Sequence, residues 1–261
     1  YGLDQDMREG HRNQYASYYA DKELKCFPRE DAHPWLKKNR DCINNPVVRQ
    51  SYAAAVSGVD ENVGRLMEAL AELELENDTL VMFTADHGLC GGQHGWWGMS
   101  DHGRPRTMFE CNLRVPLILR YPGRVAAGTV CETPTCNYDH FPSILDYLDL
   151  PAPPHDGRKR PGRTYAPALR GEDLQWSDNV TFHEYESART IRTPQWKLSR
   201  RHPDGPHDLY HLATDPGERQ NVFGRPEHAS VQRDLSSRLA EFFDRYADPK
   251  YDLWAGGTSK A

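Results

Sequence analysis

No stretch of the sequence approaches the roughly 20 consecutive apolar residues that a helix needs to cross a bilayer. Nor is positive charge in excess: 32 Lys and Arg stand against 38 Asp and Glu, a formal charge of −6. That balance lacks the basic footprint of a nucleic-acid binder, so neither a membrane nor a nucleic acid is an expected partner. None of the six cysteines forms a C-x-x-C pair, which argues against a zinc cluster. Cys131 and Cys136 could close a small disulfide loop, an option that the even count leaves open. Neither an initiator Met nor a charged-then-apolar leader precedes Tyr1-Gly2-Leu3-Asp4. The chain reads as the continuation of something longer, and its start says nothing about location.

At 261 residues and 38% hydrophobic composition, the chain can bury a sizeable core. Its 19 prolines and 20 glycines point to long loops. Residues 1–45 are polar and irregular. From Val48 the pattern changes: Tyr52, Val56, Val59, Val63, Leu66 and Leu70 recur at spacings of three and four, which predicts an amphipathic helix ended by Asn77-Asp78. The run from Leu80 to Thr84 is continuous, apolar and β-prone, suited to a buried parallel strand. A helix feeding such a strand is an α/β unit. Val115 to Tyr121 predicts a second buried strand, and Tyr138 to Leu148 a further helix. Beyond the proline-rich stretch at 151–161, short alternating segments between Val180 and Leu212 predict a small antiparallel sheet. Val231, Leu235, Leu239, Phe242 and Tyr246 mark a last amphipathic helix to cover it.

The chemistry concentrates in residues 84–106, TADHGLCGGQHGWWGMSDHGRPR, with three histidines, two aspartates, six glycines and two arginines. Asp86 follows the predicted strand, where open α/β sheets place their ligands. Asp86 and His87 offer a hard oxygen and an imidazole nitrogen to a divalent cation. Two donors are too few for calcium or zinc. The other reading is a turn, with the carboxylate bonded to nearby backbone N–H groups. His94 and His102 read alone as loop histidines, Trp96 and Trp97 as residues packed under a loop. Arg104 and Arg106 read as solvated charges unless an anionic ligand lies within reach.

These residues also carry a resemblance. Asp78-Thr79-Leu80-Val81-Met82-Phe83-Thr84-Ala85-Asp86-His87-Gly88 resembles the sulfatase segment n-T-l-v-v-F-T-S-D-H/N-G. In the family's order follow Gly92-Gln93-His94-Gly95-Trp96-Trp97-Gly98, then Phe109-Glu110 with Arg114-Val115-Pro116-Leu117-Ile118 and Tyr121-Pro122-Gly123. Tyr138-Asp139-His140-Phe141-Pro142 resembles a later helix, and Trp196-Lys197, Asp208-Leu209-Tyr210 and Asp215-Pro216-Gly217-Glu218 the appended sheet and its D-P-x-E signature. The resemblance spans about residues 48–245. It implies an alkaline-phosphatase-like α/β fold, here a partial sheet flanked by helices, with residues 1–155 as the later part of the catalytic domain. Residues 156–261 would form the C-terminal subdomain of small antiparallel sheet and terminal helix. It also implies metal-dependent hydrolysis of sulfate esters, arylsulfatase-like, with a sulfated small molecule or saccharide as substrate. Calcium is the implied metal, with Asp86 and His87 at two of its ligand positions.

Two departures qualify this. The family's nucleophile, a formylglycine made from Cys or Ser in C/S-x-P-S/A-R, has no counterpart: Cys26-Phe27-Pro28-Arg29 is one residue short. No catalytic residue is therefore identified. The sequence reads as a C-terminal portion, with the N-terminal half of the same protein or another copy as the expected partner. The family's substrate-binding lysine is also replaced, because Met99 follows Trp97-Gly98. Arg104, Arg106, His102 and His94 are the candidates for that contact, since an arginine fork suits a tetrahedral oxyanion. A phosphodiesterase or phosphonate-ester hydrolase of the same superfamily, and an inactive sulfatase-like binding domain, are the alternatives.

Overall fold

A computed structural model describes residues 13–154, 157 and 159–258. The expected boundary at 155/156 and the residues Tyr1–Asp6 at the chain's start lie outside the described residues. By its contacts the chain divides into two compact units, the first taking residues to Arg104 and Cys111–Pro122, the second Pro105–Glu110 and Gly123 onward. A short piece of the histidine- and arginine-rich loop, Pro105 and Arg106, belongs to the second unit.

In the first unit, a single helical turn α1 (Ala16–Tyr19) precedes the 27-residue helix α2 (Pro46–Glu72). The start of α2 is written in the sequence: Asn45 caps it by accepting from the Val47 N–H at 3.0 Å, and Pro46 sits in the first turn. The helix ends earlier than expected, and Glu76–Asp78 forms a separate 3₁₀ turn. Only the first turns of α2 are buried, at Val48, Arg49, Ser51 and Ala54. Val48 packs with Cys42 and Trp97, flanked by Phe27, Ile43 and Tyr52. Further along, the apolar stripe faces outward, with Val59 52% and Leu66 67% exposed.

The expectation of buried parallel strands is corrected. Strand β1 (Val81–Thr84) pairs antiparallel with β4 (Leu117–Arg120), Phe83 opposite Ile118. All four β1 residues are only half-buried, and Ile118 is 60% exposed. The physical reason is that each strand has one neighbour among the described residues, so no layer covers the apolar run. Glu76 and Tyr121 help align the pair, Glu76 by an ion pair to Arg120 and the Tyr121 hydroxyl by donating to Asp78 at 3.3 Å. Between them lie the two-residue strands β2 (Cys90–Gly91) and β3 (Trp97–Gly98), paired antiparallel, and the helical turn α3 (Glu110–Leu113).

The second unit is closed. After α4 (His140–Tyr147) and α5 (Ala166–Leu169), strands β5 (Thr181–Tyr185), β6 (Ala188–Arg192), β7 (Trp196–Arg201) and β8 (Asp208–His211) form an antiparallel meander. Ile191 pairs with Leu198 and Leu198 with Leu209. One sheet face is therefore lined by a row of aliphatics. The last helix, α6 (Ala229–Tyr246), lays Leu235, Leu239 and Phe243 on that row. Val231, Leu235 and Leu239 face the sheet as expected from the sequence, but the next buried position is Phe243 rather than Phe242, which is partly buried and stacks on Phe182 at 3.9 Å.

Cys131 and Cys136 are not joined. Cys131 is exposed, and Cys136 is a buried thiol whose N–H donates to Asp139. The disulfide present instead joins Cys90 to Cys111, with their Cα atoms 5.0 Å apart.

Candidate functional site

The Asp86-His87-Gly88 turn begins where β1 ends. Asp86 Oδ1 accepts the His87 N–H at 2.9 Å, so the turn reading is correct as far as the backbone goes. The rest of the pair remains open to chemistry. The Asp86 carboxylate is 87% exposed and the His87 side chain 48% exposed, with Asp86 Oδ2 3.6 Å from His87 Nε2. His87 Nδ1 lies 2.9 Å from the Gly88 carbonyl. The ring is thus oriented by the Gly88 carbonyl on one side, and its Nε2 faces the Asp86 carboxylate on the other. Metal-binding histidines use this arrangement, one nitrogen donating to a fixed acceptor and the other ligating.

A divalent cation fits this pair only in part. Asp86 Oδ2 and His87 Nε2 supply two donors, and no group of three His, Cys, Asp or Glu suited to a metal occurs among the described residues. Calcium needs six to eight ligands, so any such ion takes most of its shell from outside this cluster.

Glycines let the following loop fold tightly. A Cβ at Gly88 would stand 2.2 Å from the Cys111 carbonyl oxygen, and the Gly88 N–H donates to the Asn112 carbonyl at 2.9 Å. His94 is half-buried with φ 57°, in a turn between two positive-φ glycines, Gly92 and Gly95. Trp96 and Trp97 are buried beneath the loop, as the packing reading expects.

The four candidates for the anion contact separate clearly. His102 is only 6% exposed; its Nδ1 lies 2.9 Å from the Trp97 carbonyl and 3.1 Å from Asn39, so it braces the loop from within. Arg106 is 3% exposed, and its guanidinium grips the Glu186 carboxylate with two N–H groups, one at 2.5 Å. Two of its nitrogens are thereby committed to a carboxylate, while its Nη1 is buried with no hydrogen-bond partner among the described residues. Arg106 also lies in the second unit. Arg104 is exposed on the loop surface, donating to the Gly103 carbonyl at 3.1 Å. Among the two arginines, exposure favours Arg104.

Sequence reasoning missed three features. Segment 33–40 runs alongside the loop: Leu36 bridges Gly103, and the N–H groups of Lys37 and Lys38 both donate to the His102 carbonyl at 2.8 Å. The Cys90–Cys111 disulfide was not anticipated either. In the second unit, Lys197 is fully buried on the sheet face opposite Leu198, donating to the Met108 carbonyl at 2.7 Å and paired with Glu218 and Glu110. Glu218 in turn accepts the Glu110 N–H at 2.7 Å. Burial raises the Glu218 carboxyl, while the Lys197 ammonium draws it back down. His183 is depressed to about 4, by desolvation and then by the Lys197 charge. A lysine inside a strand's alternation was the available signal for this cluster.

Known proteins are similar along these same segments. The family model described as Sulfatase matches residues 7–150, and that described as N-sulphoglucosamine sulphohydrolase, C-terminal, matches residues 92–245. The N-acetylglucosamine-6-O-sulfatase of Bacteroides thetaiotaomicron is 31% identical over 76% of this chain and 36% of its own. A solved structure of a protein in complex with its substrate D-glucosamine-2-N,6-O-disulfate is 30% identical, with a TM-score of 0.66 over 77% of this chain and 41% of that one. The phosphonate monoester hydrolase of Agrobacterium radiobacter is 27% identical, with a TM-score of 0.67 over 76% and 42%. The chain belongs to the sulfatase family, with the alkaline-phosphatase-like α/β fold and its C-terminal antiparallel sheet and helix. It spans well under half the length of the relatives named above.

Proposed function

We infer that the chain is the later portion of a hydrolase that cleaves sulfate esters on a saccharide, with Asp86 and His87 contributing to its metal site. The observation that carries this reading is the Asp86-His87 turn itself, with an exposed carboxylate 3.6 Å from the imidazole Nε2. Cleaving a sulfate ester gathers negative charge on the sulfuryl oxygens and the departing oxygen. Preorganised cations and donors accelerate the reaction by favouring that charge distribution. A bound divalent cation would supply Lewis-acid polarisation. Within this chain, Asp86 and His87 hold ligand atoms in place, and Arg104 offers an exposed guanidinium to a substrate oxyanion. His102 supports the loop from beneath, and Arg106 pairs with Glu186 in the second unit. The group that attacks sulfur is not assigned to any residue of this chain.

The saccharide substrate is favoured by similarity to the N-acetylglucosamine-6-O-sulfatase and to the glucosamine disulfate complex. Similarity to the phosphonate monoester hydrolase supports the second reading, a phosphonate-ester hydrolase. The test is parallel turnover of glucosamine 6-O-sulfate and a phosphonate monoester by the enzyme expressed from its complete reading frame. Preferred hydrolysis of the sulfate, measured as kcat/KM, is expected. Preference for the phosphonate would move the protein to the second reading, and turnover of neither would leave a binding role.

A further inference from the structure

The turn that carries Asp86 and His87 is tied to α3 at two successive places. The Gly88 N–H donates to the Asn112 carbonyl at 2.9 Å, and Gly88 sits too close to the Cys111 carbonyl to admit any side chain. Two residues further on, Cys90 is completely buried and bonded to Cys111. Cys90 also begins β2, whose pairing with β3 starts the glycine-rich loop. The chain from Thr84 to Cys90 is therefore a short arch. One foot stands in the β1–β4 ladder and the other on the disulfide.

The position of Gly88 has a direct geometric consequence. Its carbonyl lies 2.9 Å from His87 Nδ1, and Nε2 stands 3.6 Å from Asp86 Oδ2. Fixing the Gly88 backbone thus fixes the orientation of the ring against the carboxylate. We propose that the Cys90–Cys111 disulfide is the positioning bond of the Asp86-His87-Gly88 turn, so that the candidate ligand pair is held in one geometry only in the oxidised chain. The functional part of this proposal rests on the sulfatase reading of Asp86 and His87; the structural part does not.

Reduction is a two-electron step. A dithiol reductant breaks the Sγ–Sγ bond and closes to its own cyclic disulfide, while each protein sulfur ends as a thiol with one proton. A disulfide restricts the open ensemble of the segment it closes, so its loss is felt first in the arch between β1 and β2.

The experiment compares the oxidised chain, the reduced chain and the Cys90→Ala/Cys111→Ala variant. Backbone hydrogen exchange is followed across residues 84–98, and NMR contacts between the His87 ring and Gly88 read the ring's orientation. The oxidised chain is expected to show a protected Gly88 amide and a single His87 ring orientation. Reduction and the double variant are each expected to speed exchange at residues 86–90 by about tenfold or more and to give mixed ring orientations. Strands β5–β8 should keep their protection. Unchanged exchange and an unchanged ring orientation after complete reduction would overturn the proposal. So would loss of protection throughout the sheet, because the bond would then hold the fold rather than the turn. An intact effect in an enzyme that hydrolyses no sulfate ester would refute the function and leave the positioning bond standing.

Discussion

The two units spend the same kind of sequence signal differently. In the second, the four-residue spacing of α6 and the alternation of β6–β8 meet face to face, and Ile191, Leu198, Leu209, Leu235 and Leu239 are all buried. In the first, the equally regular stripe of α2 leaves Val56, Val59 and Leu66 at 51%, 52% and 67% exposure. Ile118 on β4, in the same unit, is 60% exposed. Periodicity therefore reports that a face is built to be covered. It does not report whether the covering layer lies within the same stretch of chain.

The contrast can be broken most forcefully through the second unit. Lys197→Met would remove the ammonium paired with the buried Glu218 carboxylate. A loss of about 3–5 kcal/mol is expected, since an uncompensated buried charge is that costly. Denaturant unfolding checks it, and the Lys197→Met/Glu218→Leu pair should recover much of the loss. Leu198→Ala empties the centre of the aliphatic row and should cost about 2–5 kcal/mol.

The pH dependence has a definite sign. His183 is held near 4 by desolvation and by Lys197, with Glu110 opposing and Arg192 reinforcing the shift. The unfolded chain binds this proton near 6.5, so the folded state binds fewer protons in the window between. Stability is complete above the unfolded value and falls as pH drops from about 6.5 to about 4, by roughly 2–3 kcal/mol. Melting temperatures of the wild type and His183→Gln across this window measure it. The variant should lose most of that slope.

Smaller effects belong to the first unit. Arg104→Ala should leave the melting temperature unchanged and raise KM for the sulfated saccharide several-fold in the enzyme from the complete reading frame. Leu66→Lys, on the open stripe, should change the stability of this chain by no more than about 0.5 kcal/mol. A large loss there would show that the stripe is covered in solution.

Much of this organisation was legible in the residues. The cap at Asn45, the meander between Val180 and Leu212 and the last helix follow from local patterns that tertiary packing reinforced. The strand at Val81–Thr84 was legible as a strand but not in its surroundings, because pairing direction and burial depend on neighbours distant in sequence. The turn at Asp86 was visible as a turn, and its backbone is one; the ligand role of Asp86 and His87 belongs to the proposed function. The separation of Arg104 from Arg106 was not visible, since only Glu186, eighty residues away, distinguishes them. The same holds for Cys90 and Cys111, whose bond spans 21 residues without a spacing motif.

The most direct test of the account is the catalytic effect of the ligand pair. Sulfate release from glucosamine 6-O-sulfate would be measured for the enzyme from the complete reading frame, alongside Asp86→Asn and His87→Ala. Both side chains are exposed, so melting temperatures should match the wild type. The account predicts a fall in kcat/KM of about 100-fold or more in each variant. Wild-type turnover in both would contradict it.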